Sequence, residues 1–541
     1  MASRTVFFFL RTGLGLLLSV LCLGAAAHDD DKDWLPDWVG ANDWPMFGQN
    51  IHNTAQASPG SLKDVAKLKP KWTFTAGGEI SARAAIVDGR AYFPDWGGNL
   101  WAVDTKTGKK VWGHALSDYG LPANTHSRTS PAVNDGVVYI GTQEGAWLLA
   151  IDAAKGKLLW KVQLESPAND PLAMITASPA IVGDLLFTGV ASNAEGLAGL
   201  VPGFVCCGSA RGSVVAVTLK GKNAGKVLWK TYMTPPGYTG AGVWSSNFAI
   251  DLLRGTVYAS TGNNYSAPTA PAYLACIAGG ATQAACASPD NHVDSIVALN
   301  MLTGKIRWAK KFVNWNQPGL AKDGSDDWNV DCFMFINGNC PAGAGPDYDF
   351  ASAPNLIHYR DKHGRPRTLL GAGQKSGIYY ALDPDDGREL WRTQVGPGSS
   401  LGGMEWGSAS DGRRIYVSIA NFYGIPTQVG AAGSWAALEP ETGKIIWQVG
   451  DPNGSIAIGP LTVADGVVFA SSMAGAPGAP TMLALDAASG QTLWSYAAGS
   501  SVNAGASVVD GVVYWGSGYA HLQIPGYTTN DKFFAFSKNG K

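Results

Sequence analysis

The segment LWAVDTKTGKKVW, Leu100 to Trp112, decides the fold. An apolar run reaches Val103, a polar turn closes on Gly108, and a second stretch ends in tryptophan, so the segment reads as strand, turn, strand. The phrase returns as LLAIDAAKGKLLW (148–160), a looser VVAVTLKGKNAGKVLW (214–229), IVALNMLTGKIRW (296–308), YYALDPDDGRELW (379–391), WAALEPETGKIIW (435–447) and MLALDAASGQTLW (482–494). Between copies lie further strands such as SPAVNDGVVYIGT (130–142) and GPLTVADGVVFASS (459–472), whose Asp-Gly centres are hairpin signals.

Four short strands per unit, repeated every 40 to 80 residues or so, is the signature of a β-propeller blade. The final copy, DKFFAFSKNGK (531–541), lacks its tryptophan, whereas LKPKWTF (68–74) supplies Trp72 without a preceding strand. Joining these ends closes a ring, and with Trp72 counted, eight tryptophans mark eight blades. The expected class is therefore all-β, an eight-bladed β-propeller sealed by its N- and C-terminal strands, forming one domain over residues 28–541. Tryptophans at fixed repeat positions are expected to pack blades, since each buries a large area.

The first residues, MASRTVFFFLRTGLGLLLSVLCLGAAAH, combine early arginines, an apolar run and small residues before His28, the layout of a secretory signal peptide over 1–27. The apolar run is too short for a membrane span. Cleavage near Ala27 would place the chain in the periplasm or outside the cell, with no stable membrane anchor. A net charge of −2 with 15% charged residues argues against nucleic acid or anionic lipid as partner.

Removing that segment discards Cys22 and leaves Cys206, Cys207, Cys276, Cys286, Cys332 and Cys340, an even number suited to an oxidising compartment. Of the roughly 15 pairings that six cysteines allow, short loops favour Cys276 with Cys286 and Cys332 with Cys340. That leaves Cys206 beside Cys207, with two buried thiols as the alternative. No CxxCH haem-attachment motif occurs.

Two stretches break the repeat, at about 265–294 and 314–354, rich in Gly, Pro and Asn and carrying the other four cysteines. Long loops on a rigid scaffold tend to shape binding sites. Other polar residues also lack a packing role: Glu195 after an apolar strand, Asn263 in TGNN, Asp347 and Asp349 in PDYDFASAP, and Lys375 before a strand. Each alone reads equally well as a turn residue.

Together, the repeat phrase, the adjacent cysteines, TGNN, PDNHVDSIVAL and NCPAGAGPDYDFASAP resemble the quinoprotein alcohol dehydrogenases, eight-bladed propellers that bind pyrroloquinoline quinone (PQQ). Within that family the likeness is greatest to the polyvinyl-alcohol branch. The resemblance implies a Ca²⁺ ion held by Glu195, Asn263 and Asp349, an oxygen set suited to this hard cation. It also implies Asp349 as catalytic base and Lys375 as a basic group beside the quinone. Trp244 would be the floor under the quinone and a Cys206–Cys207 disulfide its ceiling, with Arg128 and Thr176 as further cofactor contacts. Ala351 stands where lanthanide-using members carry another carboxylate.

The implied activity is oxidation of an alcohol group, on a small molecule or a polymer such as polyvinyl alcohol. Electrons would pass to a soluble cytochrome c or another external acceptor, because that branch commonly carries a haem domain whose CxxCH motif this chain lacks. Two alternatives stand beside this one. A quinoprotein oxidising sugars or other small secondary alcohols would share the same residues. A non-catalytic assembly propeller would share the repeat and need none of them.

Overall fold

Eight antiparallel sheets follow one another along the chain, seven of four strands and one of five. The computed structural model describes residues 42–541 except 61, 63, 202–203, 205–206, 314–344 and 522–525, and omits the side chains of 198–200. The signal-peptide segment, Cys206, Cys332 and Cys340 lie outside the described residues.

Blade 1 consists of Ala85–Val87, Arg90–Pro94, Asn99–Asp104 and Lys110–Ala115, and the later blades repeat this order. Blade 2 begins at Ala132–Asn134, blade 3 at Ala180–Val182, blade 4 at Ala249–Asp251, blade 5 at Asn355–Arg360, blade 6 at Ala409–Ser410 and blade 7 at Thr462–Ala464. Blade 8 takes Ser507–Val509, Val512–Gly516 and Lys532–Lys538 from the C-terminal end and Leu68–Thr75 from the N-terminal part. In that seam Leu68 pairs with Lys538 and Thr75 with Lys532, so the ring closes as the sequence predicts.

Two turns recur because the backbone requires them. The hairpins joining the first two strands of blades 1, 2, 7 and 8 use Asp88-Gly89, Asp135-Gly136, Asp465-Gly466 and Asp510-Gly511, all with positive φ at both positions. That is the twist-matched form Asp-Gly favours. The turns joining third and fourth strands place a positive-φ glycine against the tryptophan of the preceding blade. A Cβ at Gly108, Gly156, Gly225, Gly304, Gly387, Gly443 or Gly490 would come within 2.3–2.9 Å of that indole.

The indoles themselves reach across the blade boundaries. Trp72, Trp112, Trp229, Trp308, Trp391, Trp447 and Trp494 each donate Nε1–H to a carbonyl of the next blade, at 2.9–3.2 Å. Trp160 meets the next blade through Gly225. The repeat phrase thus encodes an interlock: the tryptophan is the key and the next turn glycine the slot.

One element has no counterpart in the repeat. Residues 44–57 run along the innermost strands as an N-terminal arm. Ile86 and Trp44 exchange backbone hydrogen bonds, and Val133, Ile250, Leu356, Ser410 and Val463 donate to the carbonyls of Pro45, Ile51, His52, Thr54 and Ala55. The arm therefore ties blades 1, 2, 4, 5, 6 and 7. Arg83, fully buried, donates to Phe47 O and Leu461 O and lies over the Phe47 ring at 4.6 Å. Burial without a carboxylate partner draws its guanidinium down to about 9.

Of the two irregular stretches, the first folds into two short helices, Pro271–Ala278 and Gln283–Cys286. The expected Cys276–Cys286 disulfide joins them. In the second, the segment 314–344 lies outside the described residues.

The interlock can be tested directly. Gly304→Ala, whose Cβ would sit 2.5 Å from the Trp229 ring at φ +68, should lower unfolding free energy by about 2–4 kcal/mol, combining overpacking with left-handed strain. Gly136→Ala, at φ +73 with open space around it, should cost only about 1 kcal/mol. Urea titration of both variants checks the difference.

Candidate active site

Strand direction alone gathers the candidate residues on one face. In a four-stranded meander, the start of the first strand, the connection from second to third strand, and the exit of the fourth all lie at the same end. Arg128, Thr176, Trp244, Asp349 and Glu405 enter blades 2, 3, 4, 5 and 6, while Glu195, Asn263 and Lys375 occupy the connections between second and third strands of blades 3, 4 and 5. The repeat-phrase turns and Asp-Gly hairpins lie at the other end.

Asp349 is the centre of the cluster. Its Oδ1 accepts from the backbone N–H of Asn263 at 2.8 Å, and its Oδ2 accepts from the Trp244 indole N–H at 2.7 Å. Such close packing demands glycine at position 262, where a Cβ would sit 2.7 Å from Asp349 Oδ2 and 2.9 Å from Trp244 Nε1. The carboxylate is almost wholly buried, 1% exposed.

Glu195 stands in the first turn of a short helix, Ala194–Leu200, rather than in a simple turn as its sequence suggests. Ser192 Oγ accepts from the Ala194 N–H that opens this helix, and itself donates to buried Asp170. Asn263 Nδ2 donates to Glu195 Oε1 at 3.2 Å, which brings the three proposed metal ligands together. Asn263 Oδ1 is buried with no hydrogen-bond partner among the described residues. Leaving a buried acceptor unsatisfied is costly, and a hard cation among two carboxylates and this amide oxygen would satisfy it. The residues therefore fit Ca²⁺. Among the described residues no three His, Cys, Asp or Glu side chains form a metal cluster by themselves, so the set depends on the asparagine.

Lys375 lies against the same group, its backbone N–H donating to Asp349 O at 2.9 Å. Its ammonium sits 3.2 Å from Asp347 Oδ2, 3.7 Å from Asp349 Oδ2 and 5.1 Å from the Trp244 ring centroid. Burial opposes its charge, but Asp347, Asp349, Glu405 and Glu195 outweigh that and push its pKa up, so it remains an ammonium.

Trp244 is held by Thr176 Oγ1, which donates to its carbonyl, and meets Trp406 edge to face at 5.6 Å. The Arg128 guanidinium stacks 4.2 Å over Trp406. It makes no hydrogen bond or ion pair with the described residues. Arg128, Thr176 and Trp406 line a small cavity with Tyr519, Ser246, Asn503 and, from the arm, Phe47. Among the described residues, Trp406 Nε1, Tyr519 OH and Ser246 Oγ are buried there without partners. An unpaired cation and three unspent donors around an aromatic wall fit a flat polyanion such as PQQ.

Cys207 is disulfide-bonded and packs with Ala194 and Tyr265, neighbours of Glu195 and Asn263. Its expected partner, Cys206, lies outside the described residues.

Sequence reasoning missed Trp406 and Glu405. The available signal was an off-repeat tryptophan in GGMEWGSAS, just ahead of an inner strand, as Trp244 is in GVWSS. Glu405 is buried, and its carboxyl is pushed up to about 7 by that burial and by Asp349, against the pull of Lys375 and Arg128.

Fold and cluster together define an eight-bladed propeller with a buried, charged centre on its loop face. The sequence profile of a family described as outer membrane protein assembly factor BamB matches residues 64–232 and 374–526. A polyvinylalcohol dehydrogenase from Pseudomonas sp. is 30% identical over 523 residues, covering 88% of this chain and 73% of the relative. One from Sphingopyxis sp. strain 113P3 is 27% identical over 541 residues, covering 90% and 74%. Among solved structures, a quinohemoprotein alcohol dehydrogenase from Pseudomonas putida HK5 superposes with a TM-score of 0.67 at 18% identity, covering 93% of this chain and 81% of that one. The chain belongs to the PQQ-dependent quinoprotein alcohol dehydrogenase family, in the group that contains the polyvinyl-alcohol dehydrogenases.

The Glu405 carboxyl gives a pH signature in the cofactor-free protein. Its folded value of about 7 exceeds the usual 4.5, so the native state binds more protons than the unfolded chain between these values. Stability from this group is full below about pH 4.5 and is lost as pH rises through about 7. Urea unfolding at pH 5 and pH 8 should show that loss, and Glu405→Gln should flatten it.

Proposed function

We propose that the protein is an exported, PQQ- and Ca²⁺-dependent dehydrogenase that oxidises alcohol groups, secondary ones foremost. Polyvinyl alcohol or a related polyol is the substrate class, and a soluble cytochrome c or similar external carrier takes the electrons. The observation that carries this reading is the setting of Asp349: a buried carboxylate held by two neutral N–H donors, beside an ammonium and an amide oxygen with an empty valence. A scaffold propeller would gain nothing from burying such a group.

Oxidising an alcohol to a ketone or aldehyde removes two electrons and two protons. Asp349 accepts the hydroxyl proton, and Trp244 and Asn263 fix both of its oxygens so that no reorientation precedes the transfer. Lys375 supplies positive charge where negative charge develops. Glu195, Asn263 and Asp349 would hold the metal, and Arg128, Thr176, Trp244 and Trp406 the cofactor. When bound, PQQ supplies the two-electron oxidising group and Ca²⁺ the Lewis acidity that polarises it. Cys207, packed beside the Glu195 helix, would seal the other side through its bond to Cys206.

The signal-peptide layout of residues 1–27 supports export to the periplasm. The oxygen-only ligand set, with Ala351 in place of a further carboxylate, favours Ca²⁺ over a lanthanide.

Purified protein reconstituted with PQQ and Ca²⁺ should catalyse dye-linked oxidation across primary, secondary and polymeric alcohols, with the fastest turnover on secondary groups. Absence of both quinone binding and turnover on the whole panel would remove the assignment. Asp349→Asn should lower kcat by about 10²–10⁴, the usual worth of a general base, while retaining the native far-UV circular dichroism spectrum.

A further inference from the structure

Asp347 is a charged residue of the centre that the mechanism above does not use. It is buried, and its backbone adopts φ +59, a left-handed conformation uncommon for residues other than glycine. Outliers of this kind concentrate at functional sites. Its Oδ2 accepts from Lys375 Nζ at 3.2 Å, within hydrogen-bond reach, whereas Lys375 Nζ is 3.7 Å from Asp349 Oδ2 and beyond it. Lys375 thus belongs to Asp347, although the base lies only half an ångström farther away.

That preference has a physical consequence. The backbone of Lys375 is tied to the base through the N–H bond to Asp349 O, so the ammonium can change partner by side-chain rotation alone. Asp349 already receives one N–H on each oxygen, from Asn263 and Trp244. An ammonium falling onto Oδ2 would occupy the acceptor position left on that oxygen, which a substrate hydroxyl would otherwise use. The other charged groups facing Lys375 are Glu405 and Glu195, and neither makes a direct ion pair with it.

We propose that Asp347 is a positioning residue that holds the Lys375 ammonium off Asp349, leaving the base open to the substrate hydroxyl. The left-handed backbone at 347 is what aims its carboxylate at the ammonium. The inference rests on the proposed dehydrogenase function, yet the Asp347–Lys375 pairing can be measured without it.

The experiment is a double-mutant cycle with Asp347→Asn, Lys375→Met and the double variant, each reconstituted and checked for PQQ stoichiometry by absorbance. Asp347→Asn should lower kcat about tenfold or more, with KM for the alcohol changed less than about twofold, because only the chemical step is obstructed. The double variant should be no slower than Lys375→Met alone, since Asp347 acts through that ammonium. Asp347→Gly, which adopts φ +59 without strain, should fold as well as the wild type and be as slow as Asp347→Asn.

Wild-type kcat in Asp347→Gly, or losses that multiply in the double variant, would overturn the proposal. The same cycle in cofactor-free protein, read as urea midpoints, isolates the pairing. Non-additive midpoints support it and additive ones overturn it, even if no alcohol is oxidised by the wild type and the functional reading itself falls.

Discussion

An indole laid against the turn glycine of the neighbouring blade is the contact on which everything else depends. It works because two requirements coincide. The turn between third and fourth strands needs positive φ, which glycine supplies without strain, and the missing side chain leaves room for the ring. The indole N–H then finds a carbonyl in the next blade, as Trp391 does at Pro440 and Trp447 at Ala487. Seven glycines repeat this fit around the ring, so seven of the eight blade boundaries share one geometry, and at the seam Trp494 keeps only the indole bond, to Leu68 O.

Uniform spacing on one face permits irregularity on the other. All of the interlocks lie at the hairpin end, leaving the opposite loops free to carry a buried charged cluster that contributes nothing to ring closure. There, carboxylates from blades 3, 5 and 6, Glu195, Asp349 and Glu405, converge with Lys375 and Arg128. Ions buried this deeply are expensive unless paired, and Lys375 answers several carboxylates at once. Propellers described as assembly factors share the repeat profile.

The ring was legible in the sequence because its determinants are local: alternation, Asp-Gly pairs, and a glycine and tryptophan four residues apart. Even the seam between Leu68–Thr75 and Lys532–Lys538 could be read, since each end lacks what the other has. The site was legible only in part. Topology sends Asp349, Asn263 and Glu195 to one face, but nothing in the spacing brings them within bonding distance; that grouping came from family resemblance. Glu195 read as a turn residue because AEGLAGL is a single helical turn or two, too short for a period to show. Trp406 and Glu405 lay hidden in a glycine-rich stretch. The N-terminal arm left no repeat to read, because it binds the first strands of the blades through backbone groups.

The seam and the arm also impose an order on assembly. A hydrogen bond such as that from Lys532 to Thr75 joins residues 457 positions apart, so ring closure waits for nearly the whole chain, whereas each single blade is a local meander. Folding of this kind is slow, since a long loop is ordered before its contacts reward it. Until Leu68–Thr75 finds its partner, blade 8 exposes an unpaired strand edge, the surface most prone to joining another chain. The arm, synthesised ahead of every blade, cannot complete its backbone bonds until six of them stand in place. The first segment made is among the last to dock, and its arrival marks a finished ring.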